Sequence, residues 1–224
     1  LGLHADDAWL ACLPLYHIGG LSILIRSVIY GIPAVVHERF DPERVNAEID
    51  GGRVTIVSVV ATMLQRLLDA RDDRPFPPTL RCVLIGGGPV PEALLQRALA
   101  AGVPVVQTYG MTETSSQVAT LPPADARRKA GSAGKALMGV ELQVAAPRGE
   151  VGEILVRGPV VTPGYWGEPE GAHLDREGWF HTGDLGYLDG EGYLYVVGRR
   201  TDLIISGGEN IYPAEVERAL GAHP

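Results

Sequence analysis

The chain has 224 residues, 46% hydrophobic and 21% charged, which is long enough to bury a core and too apolar for a disordered segment. Its formal charge of −8 argues against a nucleic-acid footprint or an anionic-membrane binder. A small anionic ligand remains compatible with that charge, because Gly-rich backbone can handle negative groups locally.

Cys12 and Cys82 sit among apolar neighbours and read as buried free thiols in a reducing compartment. No apolar run is long enough to span a bilayer, and the N-terminus shows no basic segment leading into an apolar one. No membrane insertion is expected, and the cytoplasm is the default location. A homo-oligomer stays open.

The first apolar run, Ala8 to Pro14, reads as a strand. Ile18 to Tyr30 is a long apolar stretch with small residues, predicted as a buried helix, and Pro33 to Val36 as a short buried strand. Asp41 followed by Pro42 is a helix start signal, placing a helix over Asp41 to Ile49. Strands are predicted at Thr55 to Val60, Arg81 to Ile85 and Val103 to Thr108, alternating with helices at Ala61 to Asp69 and Pro91 to Ala101. That alternation implies a parallel sheet in an α/β domain.

Near Gly131 the character changes to Gly-rich, short alternating runs such as Glu153 to Arg157 and Tyr193 to Val197, which predict a small antiparallel β-subdomain. Leu203 to Ile205 reads as a brief strand, and Pro213 to Leu220 as the start of a helix.

Four strings carry chemistry. Asp184 and Arg199 stand on two strand-like runs joined through a Gly-rich hairpin; a carboxylate can accept both hydroxyl protons of a ribose, and a guanidinium can donate to ribose oxygens. Gly86-Gly87-Gly88-Pro89 follows a strand and precedes a helix, which suits close approach of a flat ligand or simply the geometry of the turn. Thr108-Tyr109-Gly110-Met111-Thr112-Glu113-Thr114 lies at the C-terminal end of a predicted parallel strand, where ligands bind in open α/β sheets. Pro14-Leu15-Tyr16-His17-Ile18-Gly19-Gly20 places an aromatic–His pair after the first strand.

Together with Glu153-Ile154-Leu155-Val156-Arg157-Gly158-Pro159 and Thr162-Pro163-Gly164-Tyr165-Trp166, these strings resemble the adenylate-forming superfamily, which includes acyl-CoA synthetases, firefly luciferase and peptide-synthetase adenylation domains. The resemblance covers essentially the whole chain. It implies an α/β fold with a parallel sheet flanked by helices plus a small antiparallel β-subdomain. This would be part of a large N-terminal domain, followed by the first residues of a C-terminal one.

It further implies that Tyr109 stacks on adenine beside Gly110 and Met111, with Gly86, Gly87, Gly88 and Pro89 also at the nucleotide. Thr112 would hydrogen-bond the α-phosphate, Glu113 would hold Mg²⁺, and Asp184 and Arg199 would anchor the ribose. His17 would meet the acyl oxygens, and Gly207 and Gly208 would lie along the pantetheine arm of CoA. The 153–159 and 162–166 strings receive structural roles only, and His181 and Lys135 no catalysis.

Within the superfamily, Leu13 to Ile23, Leu84 to Pro89 and Ile204 to Pro213 look most like the o-succinylbenzoate–CoA ligases of menaquinone biosynthesis. The implied partners are a small-molecule carboxylate, ATP with Mg²⁺, and CoA. Arg26 is a candidate for the substrate's second carboxylate, or a solvated or structurally paired Arg. The implied organisation is residues 1–130 as the α/β portion, 131–200 as the β-rich subdomain, and 201–224 as hinge and start of a small domain, with Thr201 at the hinge. The family's phosphate loop and catalytic Lys have no counterpart among these residues, so the chain reads as an internal piece that alone has little or no activity. Another carboxylate, a carrier-protein adenylation domain and a non-catalytic nucleotide-binding fragment remain alternatives.

Overall fold

The computed structural model describes residues 2–72, 74–206 and 209–221. It divides into two compact units, residues 1–108 with 121–130 and residues 109–120 with 131–224.

The first unit alternates β1 (Trp9–Ala11), α1 (Ile18–Tyr30), β2 (Ala34–Val36), α2 (Pro42–Asp50), β3 (Ile56–Val59), α3 (Ala61–Arg71), β4 (Cys82–Ile85), α4 (Glu92–Ala100) and the start of β5 (Val105–Met111). Its strands run parallel in the order β2-β1-β3-β4-β5. Strand side chains alternate between two buried faces. Leu10, Val57, Val59, Val83, Ile85 and Val105 pack with Val45, Ile49, Leu64, Leu67, Leu95 and Ala98 of α2, α3 and α4. Their neighbours Trp9, Ala11, Ile56, Cys82, Leu84 and Val106 pack with Ile23 of α1 and with Ile32. Asp41 caps α2 as expected, its carboxylate accepting from the Arg44 amide at 3.0 Å.

Two expectations for this unit need correction. α1 is not buried all round: Gly20, Ser22, Ile23 and Ser27 face inward, while Leu21, Ile25, Val28 and Ile29 are exposed. A run that is apolar at every position has no period, so it cannot tell one buried face from two. β2 is not a buried strand either; it is the last strand on one side of the parallel set, with Ala34 and Val35 half-buried and Val36 exposed.

The second unit holds the end of β5, then the antiparallel pair β6 (Ser116–Thr120) and β7 (Lys135–Ala136). It continues through β8 (Glu141–Val144), β9 (Gly152–Arg157), β10 (Phe180–Leu188) and β11 (Leu194–Arg199), which form an antiparallel sheet in the order β11-β10-β9-β8. β12 (Ile204–Ser206) and β13 (Glu209–Ile211) pair with each other, and α5 (Pro213–Gly221) follows. Its core gathers Tyr109, Val118, Ala119, Val140, Ile154, Val156 and Leu194. The parallel sheet with flanking helices and the antiparallel β-subdomain are therefore as the sequence implies. Cys12 and Cys82 are free and buried, and burial pushes each thiol up to about 12.

Candidate nucleotide site

The second unit brings three of the expected residues into one cluster. β10 and β11 pair so that Asp184 stands opposite Arg199. Arg199 Nε lies 3.0 Å from Asp184 Oδ1, and the Tyr109 hydroxyl donates to Asp184 Oδ2 at 2.8 Å. Asp184 and Tyr109 are nearly buried, at 6% and 9% exposure. Burial pushes the Asp184 carboxyl above the usual carboxylate range despite the Tyr109 hydroxyl and the Arg199 guanidinium, and Glu113 adds to the rise. The Tyr109 phenol is raised too, by burial first and then by Asp184.

Tyr109 reaches this position because the chain turns sharply after β5. Thr112–Thr114 forms a single 3₁₀ turn, and Thr114 Oγ1 accepts from the Met111 amide at 3.1 Å. Ser115 and Ser116 then take positive φ values of 53° and 103°. Such strain in non-Gly residues persists where surrounding structure over-determines it, commonly at functional sites. Gly110 is obligatory here: a Cβ at that position would overlap the Ser116 carbonyl oxygen.

Glu113 sits on this turn, half-buried, while Thr112 is exposed. The Glu113 carbonyl accepts from the Thr162 amide at 2.7 Å, and its carboxylate Oε1 accepts from the Tyr165 hydroxyl at 3.1 Å. The Tyr165 ring packs edge-on against His173, which in turn packs against Phe180. No cluster of three metal-ligating side chains exists among the described residues. A single anchored carboxylate is the donor set that suits a Mg²⁺ shared with substrate phosphates, since that ion keeps waters and phosphate oxygens as most of its ligands. Met111, Glu113, Tyr165, Thr182, Arg199 and Thr201 are among the residues lining a cavity of about 630 Å³ in this unit.

The remaining expected residues belong to the first unit or lie outside the description. His17 is the residue before α1, exposed, its ring 4.6 Å from that of Tyr16. Gly86 to Pro89 form the turn between β4 and α4; Gly86 packs under Thr108, Gly87 has φ +80°, and a Cβ at Gly88 would meet open space. Gly88 is thus the one glycine of the three that the fold does not require. Arg26 lies half-buried over the Trp9 ring at 5.9 Å. Gly207 and Gly208 lie outside the described residues. Lys135 sits 4.5 Å from the Tyr193 ring.

Glu153, Tyr165, His173 and His181 line the cavity and were given no site role from the sequence. Glu153 and Tyr165 are marked only by membership of the 153–159 and 162–166 strings, and His173 and His181 belong to neither string. Side chains that alternate across a sheet do not reveal which face meets a cavity until the register is set.

The comparisons agree with one another. A 2-succinylbenzoate–CoA ligase of Geobacillus kaustophilus (strain HTA426) is 57% identical over the whole chain, which covers 47% of that protein. One of Oceanobacillus iheyensis is 53% identical over 98% of the chain and 47% of its own length. Among solved structures, the o-succinylbenzoate CoA synthetase (MenE) of Bacillus subtilis, in complex with the acyl-adenylate intermediate OSB-AMP, superposes with a TM-score of 0.92 at 49% identity, covering all of this chain and 47% of that one. ATP-bound MatB of Rhodopseudomonas palustris gives a TM-score of 0.85 at 33% identity over 98% of this chain and 45% of its own. The chain thus spans about half the length of the curated relatives it matches. The family model described as AMP-binding enzyme matches residues 1–166, so this chain belongs to the AMP-binding enzyme family.

Proposed function

We propose that this chain is the nucleotide-binding part of an AMP-forming acid–thiol ligase that activates a carboxylate with ATP and passes it to CoA. The proposed substrate is o-succinylbenzoate, giving o-succinylbenzoyl-CoA. The observation that carries this reading is the buried Asp184 carboxylate held between the Tyr109 hydroxyl and the Arg199 guanidinium, beside a cavity edged by Glu113. Identities of 49% to the B. subtilis o-succinylbenzoate enzyme and 33% to MatB favour that acid over others in the same chemistry.

In the proposed reaction the substrate carboxylate attacks the α-phosphate of ATP, displacing pyrophosphate and leaving an acyl-adenylate. The thiol of CoA then attacks the acyl carbon and releases AMP. Asp184 accepts from the ribose hydroxyls and Arg199 donates to ribose oxygens, so that binding energy remote from the reacting atoms orients the α-phosphate. Tyr109 offers its ring to adenine, where stacking contributes about 1–2 kcal/mol. Thr112 donates its hydroxyl to an α-phosphate oxygen. Glu113 would hold Mg²⁺, which when bound would supply charge stabilisation at the phosphate oxygens.

Tyr165, by donating to Glu113 Oε1, fixes the rotamer of that carboxylate. His17 is assigned to the acyl oxygens, and Arg26, half-buried over the Trp9 ring, to a structural role, with the second carboxylate of the substrate as the alternative. Gly86 to Pro89 are assigned to the nucleotide, and Gly207 and Gly208 to the pantetheine arm. Residues 201–224 are assigned to the hinge and the beginning of a small domain, and the location to the cytoplasm.

The test is carboxylate-dependent ATP–pyrophosphate exchange by the full-length protein, with o-succinylbenzoate beside benzoate, 4-coumarate and a medium-chain fatty acid. Exchange with o-succinylbenzoate and not the others is expected. Exchange with a different acid overturns the substrate and keeps the chemistry; exchange with none overturns the ligase reading.

A further inference from the structure

The pairing of β10 with β9 is irregular just before Asp184, and one side chain outside the Tyr109–Asp184–Arg199 cluster contacts that irregularity. His181 pairs with Leu155 of β9, yet Leu185 pairs with Glu153, so four steps along β10 match two along β9. Residues 182–184 therefore leave the ladder with β9, and backbone groups on that side need other partners. Gly183 takes φ +70°, a conformation that favours glycine. Thr182 Oγ1 donates to the Ile154 carbonyl at 2.8 Å and accepts from the Asp184 amide at 3.1 Å. The Gly183 amide donates to Glu153 Oε1 at 3.1 Å.

The other oxygen of Glu153 is engaged as well: Oε2 lies 3.1 Å from His181 Nδ1 and 3.4 Å from Arg200 Nη1. Asp175 Oδ2 stands 3.3 Å from His181 Nε2 on the far side of the ring. The Glu153 side chain is only 14% exposed. A single carboxylate on β9 thus ties down the residue before the bulge, the bulge itself and the residue after Arg199. Thr182 and Asp184 share a strand and an amide bond with Gly183, so loosening the Gly183 amide releases the direction in which Asp184 points.

We propose that Glu153 is a positioning residue for ribose recognition: it holds the 182–184 bulge of β10 through the Gly183 amide and thereby presents the Asp184 carboxylate to the ribose hydroxyls. The inference rests on the ribose role proposed above for Asp184. It concerns geometry and requires an acceptor at the reach of Glu153, not merely an anion in its vicinity. Two conservative variants separate these requirements. Glu153→Gln keeps an acceptor oxygen at full reach and discards the charge. Glu153→Asp keeps the charge and falls one methylene short of Gly183.

The experiment measures calorimetric affinities of AMP and 2′,3′-dideoxy-AMP for the full-length protein and both variants, together with amide hydrogen exchange over residues 182–184. Wild type and Glu153→Gln are expected to prefer AMP by roughly tenfold, and Glu153→Asp to lose that preference while binding dideoxy-AMP as before. Exchange at 182–184 should rise in Glu153→Asp alone. A Glu153→Asp variant that keeps the wild-type preference and protection overturns the proposal. So does a Glu153→Gln variant that loses both. If wild type itself shows no preference for AMP, the ribose role of Asp184 fails, and the exchange comparison still decides whether Glu153 holds the bulge.

Discussion

The two units spend their polar groups differently. In the first, two buried charged residues close on protein partners. Asp7, 1% exposed, takes the Arg81 guanidinium and the Thr55 hydroxyl, and Arg71, 2% exposed, links Asn46 and Asp50. In the second, the buried polar groups Tyr109, Thr182 and Asp184 cluster around one carboxylate beside an open cavity. The first unit's apolar layers fill both faces of a parallel sheet, with the residues proposed for the acyl oxygens and part of the nucleotide in its turns; the second unit's buried polar cluster carries the residues proposed for the ribose. Satisfied polar pairs that face only protein rigidify a core, whereas a carboxylate raised by burial and left beside a cavity is a group prepared for a ligand.

Truncation in the apolar core of the first unit should show the largest effect. Leu64 is fully buried among the helices and strands of the first unit, so Leu64→Ala should cost about 3 kcal/mol of stability in urea denaturation. Nucleotide affinity of the folded fraction should stay within about twofold of wild type, since Leu64 belongs to that core. A large loss of affinity at unchanged stability would erase the contrast between the units.

Asp184→Ala should do the reverse. It removes the acceptor proposed for the ribose and is expected to weaken AMP binding by on the order of thirtyfold, about 2 kcal/mol, read by calorimetry. Unchanged affinity in a folded Asp184→Ala protein would remove the second unit's claim to recognition.

The smallest expected effects are in pH dependence, and their signs differ. Burial would raise the Asp7 carboxyl, but hydrogen bonds from Arg81, His4 and Thr55 outweigh it and hold that group well below its ordinary value of 3.8. Its stabilisation is present above that value and lost as pH falls further toward the depressed folded one. His181 is raised above its ordinary 6.5, chiefly by Glu153, with burial opposing and Asp175 adding. Its contribution is complete below 6.5 and lost as pH rises through the elevated value. Denaturation midpoints across pH should therefore lose an acid-side slope in Asp7→Asn and a weaker near-neutral slope in His181→Gln. Equal slopes in both variants would mean that neither pair is a distinct source of stability.

Much of the first unit was legible because its elements announce themselves locally. Asp41-Pro42 starts a helix through a cap and a preset φ, and the alternation of β-branched runs with helical spacing needs no long-range information. The apolar run of α1 was legible as a helix and not as a half-exposed one, because uniform hydrophobicity carries no phase. In the second unit the pairing of Asp184 with Arg199 followed from two runs around a Gly-rich hairpin. The part played by Glu153 did not, since a glutamate in Glu-Ile-Leu-Val-Arg has no local mark that tells a solvated edge position from the acceptor of a displaced amide.

The amino-acid sequence by itself determined the family, the order of strands and helices in the first unit, and which residue types stand at the turn after β5, because caps, turn chemistry and hydrophobic period act over a few residues. Only the tertiary structure decided that the Tyr109 hydroxyl and Arg199 meet on one carboxylate, that Tyr165 reaches Glu113, and that Glu153 supports the bulge. The contacts of Asp184 and Glu153 depend on strand register and on two irregularities in pairing, at 181–185 and at 185–186. A shift of one residue in either would turn the same side chains to the opposite face.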